Sequence, residues 1–221
     1  GDRRDLHSFP TRRSSDLFNP RAMGFFGFIP FLQCYHGVLR MSCKIQGSLS
    51  VNGSAIDYSE GRCYIEKDWG PSFPSSWIWS QSSHFPDRIT SLMVSVATIP
   101  LAGTSFTGFI FGLDTPEKFY RMASYTGARI TRLKTWRGGA EIFLENAVLR
   151  AELGLGHGAG RIDPLPFPAD KGLMSGLIEE SLDAEISVRI TRKKSGQILF
   201  EATGSKAGLE LGPGAESLSS V

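Results

Sequence analysis

The sequence has few cysteines, no long apolar run and almost no net charge, and each absence excludes a class of protein. Its three cysteines, Cys34, Cys43 and Cys63, lack C-x-x-C spacing, which argues against a disulfide framework and a zinc site. We expect them to be buried free thiols. The best apolar run, residues 25–32, is far shorter than the roughly 20 residues that span a membrane. A net charge of +2 is too small to indicate a nucleic-acid partner.

Long amphipathic helices are also lacking, whereas aromatic residues and chain breakers are abundant. The 15 Phe, 25 Gly and 12 Pro residues favour short strands and turns. A series of segments with strand character runs from residue 38 to residue 211, and Asn52-Gly53 is a strong hairpin signal. The sequence therefore predicts an all-β protein, either an antiparallel up-and-down β-barrel or a sandwich.

Three segments depart from this strand pattern. Residues 154–175 contain several glycines and then three prolines, which predicts an irregular connection of a length that is unusual and often functional. Residues 178–184 are the best place for a helical turn. The small, polar residues after Gly212 predict a frayed tail.

The first seventeen residues look foreign to the rest of the chain. GDRRDLHSFPTRRSSDL has four arginines and lacks the apolar core of a signal peptide. It is similar to the translation of a common sequencing-library adapter, from which only Arg3 departs. We therefore expect residues 1–17 to be a disordered artefact, to which we attribute no fold or function. We also expect the natural protein to extend upstream of Phe18.

Residues 64–85, YIEKDWGPSFPSSWIWSQSSHF, concentrate the side chains that carry chemistry. Since successive strand side chains point to opposite faces, Tyr64, Glu66 and Asp68 are predicted to share one face. Two carboxyl groups on one face can supply an acid. The alternative is a solvated strand end with ordinary ion pairs.

Three of the four tryptophans of the chain lie in one eleven-residue stretch of this segment, residues 69–79. Trp77, Trp79 and Gln81 are predicted to share one face of the second strand. A single tryptophan commonly fills a core. The cluster, with two carboxyl groups beside it, instead favours the lining of a cavity for a large apolar ligand.

EKDWG, SFP and W-I-W-x-Q in this segment resemble the tocopherol cyclase family. With gaps, the resemblance extends from about residue 23 to residue 212. The supporting stretches are FLQCYHG at 31–37, SFTGF at 105–109, YTGA at 125–128 and KAGLE at 206–210.

The resemblance implies a calycin-like fold of two lipocalin-related β-barrels, although the lipocalin G-x-W signature is not apparent. The chain would correspond to the C-terminal part of the family. Residues 18–60 would then be a remnant of the first barrel, residues 61–212 the second barrel and residues 213–221 a tail. The missing N-terminal barrel of the same protein is an expected partner.

Plant members of the family close the chromanol ring of tocopherols, so the resemblance implies a similar isomerase. The expected ligand is an apolar isoprenoid or prenylquinone, and no cofactor or metal is expected. Two alternatives stay open: a non-catalytic carrier of isoprenoid lipids, and an enzyme that hydrates an isoprenoid. We expect a cytoplasmic location, with peripheral membrane contact as a further option.

Chromanol closure requires an acid kept protonated by apolar surroundings, aromatic faces that stabilise a developing cation and an acceptor for the phenol proton. Asp68 or Glu66 is the expected acid, and His36 and Tyr35 are expected proton-transfer partners. Because His36 precedes Gly37, the alternative is that it is only a structural residue of a turn. The remaining candidates are expected to bind substrate: Trp69, Phe73, Trp77, Trp79, Gln81 and His84.

Overall fold

The fold is taken from a computed structural model, which describes residues 22–30, 32–101, 103–157, 162–169 and 172–218. The adapter-like segment 1–17 lies outside the described residues, so its expected disorder stays a prediction. None of the described helices approaches the length and apolarity that a membrane crossing requires.

The described chain is built from strands and three short 3-10 turns, at Gly24–Phe28, Ser124–Thr126 and Ala215–Ser217. This confirms the all-β prediction. The strands are β1 (Tyr35–Lys44), β2 (Ser48–Val51), β3 (Ser54–Asp57), β4 (Arg62–Trp69), β5 (Trp77–Ser82), β6 (Ser91–Leu101), β7 (Thr104–Asp114), β8 (Phe119–Ala123), β9 (Arg129–Trp136), β10 (Gly139–Glu145), β11 (Leu149–His157), β12 (Ile162–Phe167), β13 (Gly176–Arg192) and β14 (Ile198–Leu211).

Ten strands form one large antiparallel sheet. Nine follow the order β8-β7-β6-β5-β14-β13-β11-β10-β9, and β12 pairs with β13. The end strands β8 and β9 are consecutive in the chain, with only residues 124–128 between them, so the sheet must curl until its ends approach. In the described part of the chain no ladder joins β8 to β9, and the expected closed barrel is therefore not observed.

The main core lies on one face of this curled sheet. Side chains from both halves meet there, for example Met122 of β8, Ile130 of β9, Ile78 of β5 and Ile186 of β13. All four are at most 2% exposed, and each buried side chain of this size stabilises the fold by about 1.5–3 kcal/mol. The core thus holds the two ends of the sheet together without a hydrogen-bonded seam.

Two smaller sheets complete the fold. β2 and β3 form the predicted hairpin, and Asn52 (φ 51°) and Gly53 (φ 82°) have the positive φ values of a type I′ turn. β1 pairs with β4, across the expected domain boundary at residue 60; the division into domains stays a prediction. The three cysteines are free, as expected, but they are half-buried.

Three predictions from local sequence were wrong. The described residues after Gly212 are not a frayed tail, because Ala215–Ser217 forms a 3-10 turn and Ala215 and Leu218 are buried in the main core. Residues 154–175 are not one irregular connection, because residues 154–157 end β11 and Ile162–Phe167 forms β12. The prolines in β12 are tolerated since β12 pairs only with β13 and an edge strand can lack N–H donors. Residues 178–184 lie inside β13, where register shifts on both sides of Ala184 break the strict alternation that identifies a strand.

Candidate active site

The candidate site lies on the β1–β4 pair, where this small sheet faces β5. Tyr64, Glu66 and Asp68 share one face of β4, as their spacing predicts, and His36 of β1 lies directly opposite Asp68 in the ladder. Hydrogen bonds join Glu66 to both Tyr64 and Trp79. The pairing of β1 with β4 therefore brings together three of the four predicted catalytic residues.

His36, Glu66 and Asp68 form a compact group, which we call the acid unit. The distance from Nδ1 of His36 to Oδ1 of Asp68 is 2.7 Å, and that to Oε1 of Glu66 is 3.5 Å. The side chains of His36 and Glu66 are only 13% and 12% exposed. The second ring nitrogen of His36, Nε2, is buried without a hydrogen-bond partner among the described residues.

Glu66 is held by two donors on one oxygen. The Tyr64 hydroxyl donates to Oε2, and the Trp79 indole N–H donates to the same atom at 3.2 Å. Burial raises the pKa of Glu66 to about 7, and Asp68 adds to this rise, whereas His36 and the Tyr64 bond oppose it. A carboxyl group whose pKa is raised toward neutral pH is suited to act as a general acid.

The carboxyl groups around His36 favour its protonated form. Burial alone lowers the pKa of its imidazole, but the hydrogen bond to Asp68 and the negative charges of Glu66, Asp68 and Glu210 outweigh burial and raise that pKa. The raised pKa means that the imidazolium, which carries a hydrogen on both nitrogens, persists to higher pH than in a free imidazole. In that form Nδ1 donates to Asp68, and Nε2 is the nitrogen without a partner among the described residues.

Trp77 and Trp79 share a face of β5, as predicted, and that face is opposite to the main core. Ile78 between them belongs to the main core, whereas Trp77 packs in a second cluster with Phe73 and Phe167. The ring centroids of Trp77 and Phe167 are 4.9 Å apart. The tryptophans therefore line the outside of the curled sheet, where the small β1–β4 sheet is placed.

Glycines allow the tryptophan rings to approach the backbone. A Cβ atom on Gly212 would lie 2.3 Å from the Trp77 ring, and one on Gly208 would lie 2.9 Å from the Trp79 ring. Gly208 lies within β14, which pairs with β5, and Gly212 directly follows the last residue of β14. This contact explains the glycine in KAGLE, which the sequence marked only as a supporting stretch.

Glu210 is a site neighbour that the sequence reasoning missed. Its Oε2 accepts the Trp77 indole N–H at 2.9 Å, and it lies opposite Trp79 in the β5–β14 ladder. Burial raises the pKa of Glu210, and the Trp77 bond opposes the rise. The residue lies within KAGLE, so the supporting stretch contained a signal for it.

Tyr35 and Trp69 form a stacked pair beside the acid unit. Their ring centroids are 5.3 Å apart with an interplanar angle of 11°. The Tyr35 hydroxyl donates to the carbonyl oxygen of Ile29 at 2.9 Å, so it anchors the preceding turn. In this arrangement Tyr35 contributes an aromatic ring to one side of the site. Its expected role as a proton-transfer partner stays a prediction.

Gln81 and His84 are not joined to the acid unit by any hydrogen bond or ion pair among the described residues. The Gln81 amide donates to the Ser83 hydroxyl at 2.9 Å. His84 is exposed and forms an isolated bridge with Ser205. Their expected roles in substrate binding stay predictions.

The acid unit also has the spacing of a possible metal-binding group, although the sequence predicted none. One donor atom from each of its three residues lies within 4.8 Å of the others. The direct His36–Asp68 contact and the raised pKa values of His36 and Glu66 fit a hydrogen-bonded acid better, because metal ligands must be deprotonated.

Comparison with known proteins agrees with the motif resemblance. A family profile described as tocopherol cyclase-like matches residues 14–213, which is most of the chain and includes the acid unit. The chain belongs to the tocopherol cyclase-like family. The match also overlaps the last residues of the adapter-like segment.

Two curated relatives support the family at low identity. The chain is 24% identical over 205 residues to the chloroplastic tocopherol cyclase of Zea mays, and 22% identical over 202 residues to the probable chloroplastic tocopherol cyclase of Oryza sativa subsp. japonica. Each alignment covers 86% of this chain and 42% of the relative. The chain thus spans less than half the length of these tocopherol cyclases. No solved structure matched.

Proposed function

We propose that the chain carries the ring-closing site of an isomerase that acts on a prenylated phenol or quinol. The observation that carries this proposal is the acid unit: a buried His36 whose Nδ1 is paired with Asp68 and whose Nε2 has no partner among the described residues, beside a carboxyl group, Glu66, whose pKa is raised to about 7. The printed names of the Zea mays and Oryza sativa relatives support the same chemistry.

Ring closure needs one proton to be delivered and one to be recovered. The acid unit transfers the Nε2 proton of His36 to the less substituted carbon of the prenyl double bond. This leaves positive charge on the tertiary carbon, where the phenol oxygen forms the new C–O bond. The phenol proton returns to the acid unit, so atoms and charge balance without a co-reactant.

The surroundings suit a cationic transition state. Trp79 is hydrogen-bonded to Glu66, so its ring lies beside the acid unit, and the stacked Tyr35 and Trp69 rings flank it. Aromatic faces attract a cation by about 0.5–2 kcal/mol or more when water is excluded. The same apolar wall limits capture of the cation by water.

The test is a ring-closure assay with a prenylated hydroquinone. His36→Gln and Asp68→Asn remove the delivered proton or the charge that holds it, with little change in shape. We expect each to lower kcat by about 10²- to 10⁴-fold, the usual contribution of a positioned acid. Product is identified by chromatography and mass spectrometry.

Glu201→Gln is the matched control, because Glu201 is an exposed carboxylate paired with Arg189, and we expect it to leave the rate unchanged. Binding of the hydroquinone without turnover would contradict the proposal and favour the carrier. A product with an added tertiary hydroxyl would favour the hydrating enzyme. Unchanged turnover in both variants would contradict the role of the acid unit.

A further inference from the structure

Cys43 of β1 and Cys63 of β4 lie directly opposite each other in the β1–β4 ladder. Directly opposite residues of antiparallel strands have Cα atoms about 4.5 or 5.5 Å apart, depending on the type of pair. A disulfide normally joins residues whose Cα atoms are about 4.4–6.8 Å apart. The register of this sheet therefore places the two cysteines where a cross-strand disulfide can form without a large movement of the backbone.

The two thiol groups already interact in their reduced form. Both cysteines are free and only half-buried, so a reagent in solution can reach them. Cys43 Sγ donates to the backbone carbonyl oxygen of Cys63 at 3.2 Å, which means that the Cys43 side chain extends over the opposite strand. Burial raises the pKa of the Cys63 thiol, and a hydrogen bond with the Cys43 thiol adds to the rise.

Cys34, the third cysteine, is in a different setting. It directly precedes β1, and its thiol donates to the carbonyl oxygen of the next residue, Tyr35, at 3.7 Å. Burial, together with the charges of Asp68 and Glu66, raises the pKa of Cys34 to about 12. Because the thiolate is the form that attacks a disulfide, we expect Cys34 to react slowly. The chain thus contains an internal control for the other two cysteines.

A link between Cys43 and Cys63 would hold together the sheet that carries the acid unit. In the described part of the chain, β1 and β4 pair with each other and with no other strand, and their register is irregular between Val38 and Cys43. A two-stranded sheet is at best marginally stable by itself. Near its other end, the same sheet holds His36 of β1 against Asp68 of β4.

We propose that Cys43 and Cys63 are a site of reversible oxidation, at which a small-molecule disulfide converts the two thiols into a disulfide that clamps β1 to β4. The thiolate of one cysteine attacks a sulfur atom of the reagent, forms a mixed disulfide and expels one reagent thiolate. The thiolate of the other cysteine then attacks the protein sulfur of the mixed disulfide, forms the Cys43–Cys63 bond and expels the second reagent thiolate. The two thiol protons pass to the expelled thiolates, so the protein loses two electrons and the reagent gains them.

A disulfide reagent suits this site better than a peroxide. Cysteines that sense peroxide have a low pKa, whereas the pKa of Cys63 is raised. In thiol–disulfide exchange, the neighbouring thiol resolves the mixed disulfide within the same sheet, so the second step does not depend on another encounter in solution.

Oxidised glutathione is the probe that tests the pairing. The folded chain is incubated with mixtures of oxidised and reduced glutathione, quenched with acid, treated with N-ethylmaleimide and digested with trypsin without reduction. Mass spectrometry should find peptide 41–44 linked to peptide 63–67, and Cys34 as a blocked thiol in peptide 22–40. We expect this link to exceed any link of Cys34 by about tenfold or more, because only the opposed pair has a high effective concentration. Dithiothreitol should remove it, and unfolding in urea should abolish the preference.

Hydrogen exchange of the oxidised and reduced chains tests the clamp. We expect residues 35–44 and 62–69 to exchange about tenfold or more slowly in the oxidised chain, because the link opposes local separation of the two strands. Exchange in β13 reports on the large sheet and should be the same in both. Cys43→Ser should abolish the link and the difference. Cys34→Ser is the matched control, which keeps the opposed thiols and should keep both effects.

Several outcomes would overturn the proposal. Absence of any link, a preferred link of Cys34 to either partner, or links only between two copies of the chain would show that the register does not pair Cys43 with Cys63. A Cys43–Cys63 link that leaves exchange in β1 and β4 unchanged would overturn the clamp. None of these measurements involves ring closure, so their results are independent of the proposed function.

Discussion

Glu66 and His36 couple the protonation of the site to the stability of the fold. The pKa of Glu66 is raised, so the folded chain holds a proton that the unfolded chain has lost between the usual glutamate pKa and about 7. Stability therefore falls as pH rises through this window. The raised pKa of His36 acts in the same direction: its stabilisation is fully present below its usual value and is lost as pH rises through the folded value.

Glu66→Gln removes one of these two contributions. We expect the variant to have a higher free energy of unfolding than the unaltered chain at pH 8, by roughly 1–3 kcal/mol, and a smaller difference at pH 5. Urea unfolding at both pH values measures this. Glu201→Gln should change neither value, and an unaltered slope between pH 5 and pH 8 in Glu66→Gln would contradict the raised pKa.

The residues of the acid unit could be predicted from local sequence, whereas the contact of their neighbour Glu210 with the site could not, although KAGLE marked its segment. Glu66 and Asp68 follow from strand alternation within one short segment, and His36 was named through its motif. Glu210 reaches Trp77 from 133 residues away in the sequence. Its position depends on the pairing of β14 with β5, and local periodicity carries no information about which distant strands pair.

Among the elements, the β5–β14 pair positions the aromatic walls of the site. Trp77 and Trp79 fit there because Gly212 and Gly208 have no side chains. Without this close approach, the indoles could not keep their N–H groups on Glu210 and Glu66. Gly208 and Gly212 are therefore part of what positions the two indoles.

Gly212→Ala tests this contact. The added methyl group would overlap the Trp77 ring, and overpacking of this kind costs about 1–3 kcal/mol, so we expect a lower melting temperature and altered near-ultraviolet circular dichroism. Gly156→Ala is the matched control, because Gly156 is also in the large sheet and a Cβ there meets nothing within 4 Å. Equal melting temperatures for the two variants would rule out the close packing.

Element prediction succeeded where local signals are strong and failed where tertiary context decides. The β2–β3 hairpin follows from its Asn-Gly turn. β12 was missed because its prolines are typical of a loop. They are compatible with a strand here because β12 lies at the edge of the sheet, where fewer N–H donors are needed. The continuous strand β13 was missed because the irregular register around Ala184 disguises its alternation.

At the scale of the whole molecule, stability is distributed unevenly. The large sheet shares one core, whereas every residue of β2 and β3 is exposed. The antiparallel class of the large sheet could be predicted from short strands and turns. The absence of a ladder between the end strands β8 and β9 could not be predicted. The sequences of these two strands do not differ in any evident way from those of strands that do pair.

Hydrogen exchange should reveal this difference. We expect amides of β2 and β3 to exchange orders of magnitude faster than those of β13, because exposed ladders open locally without unfolding the core. Mass spectrometry of peptic fragments measures both regions in one experiment. Equal protection of residues 48–57 and 184–190 would indicate that the hairpin is packed against a surface that the fold does not show.

The hydrogen bonds of Trp79 and Trp77 to carboxyl groups give the protein an optical property. A charge that forms beside an indole shifts the wavelength of its fluorescence emission. The indole of Trp79 is hydrogen-bonded to Glu66, and that of Trp77 to Glu210. Trp136, which is 52% exposed, supplies a background remote from these carboxyl groups in the sequence. Ultraviolet emission is therefore a built-in, label-free indicator of the ionisation of the acid unit and its neighbour.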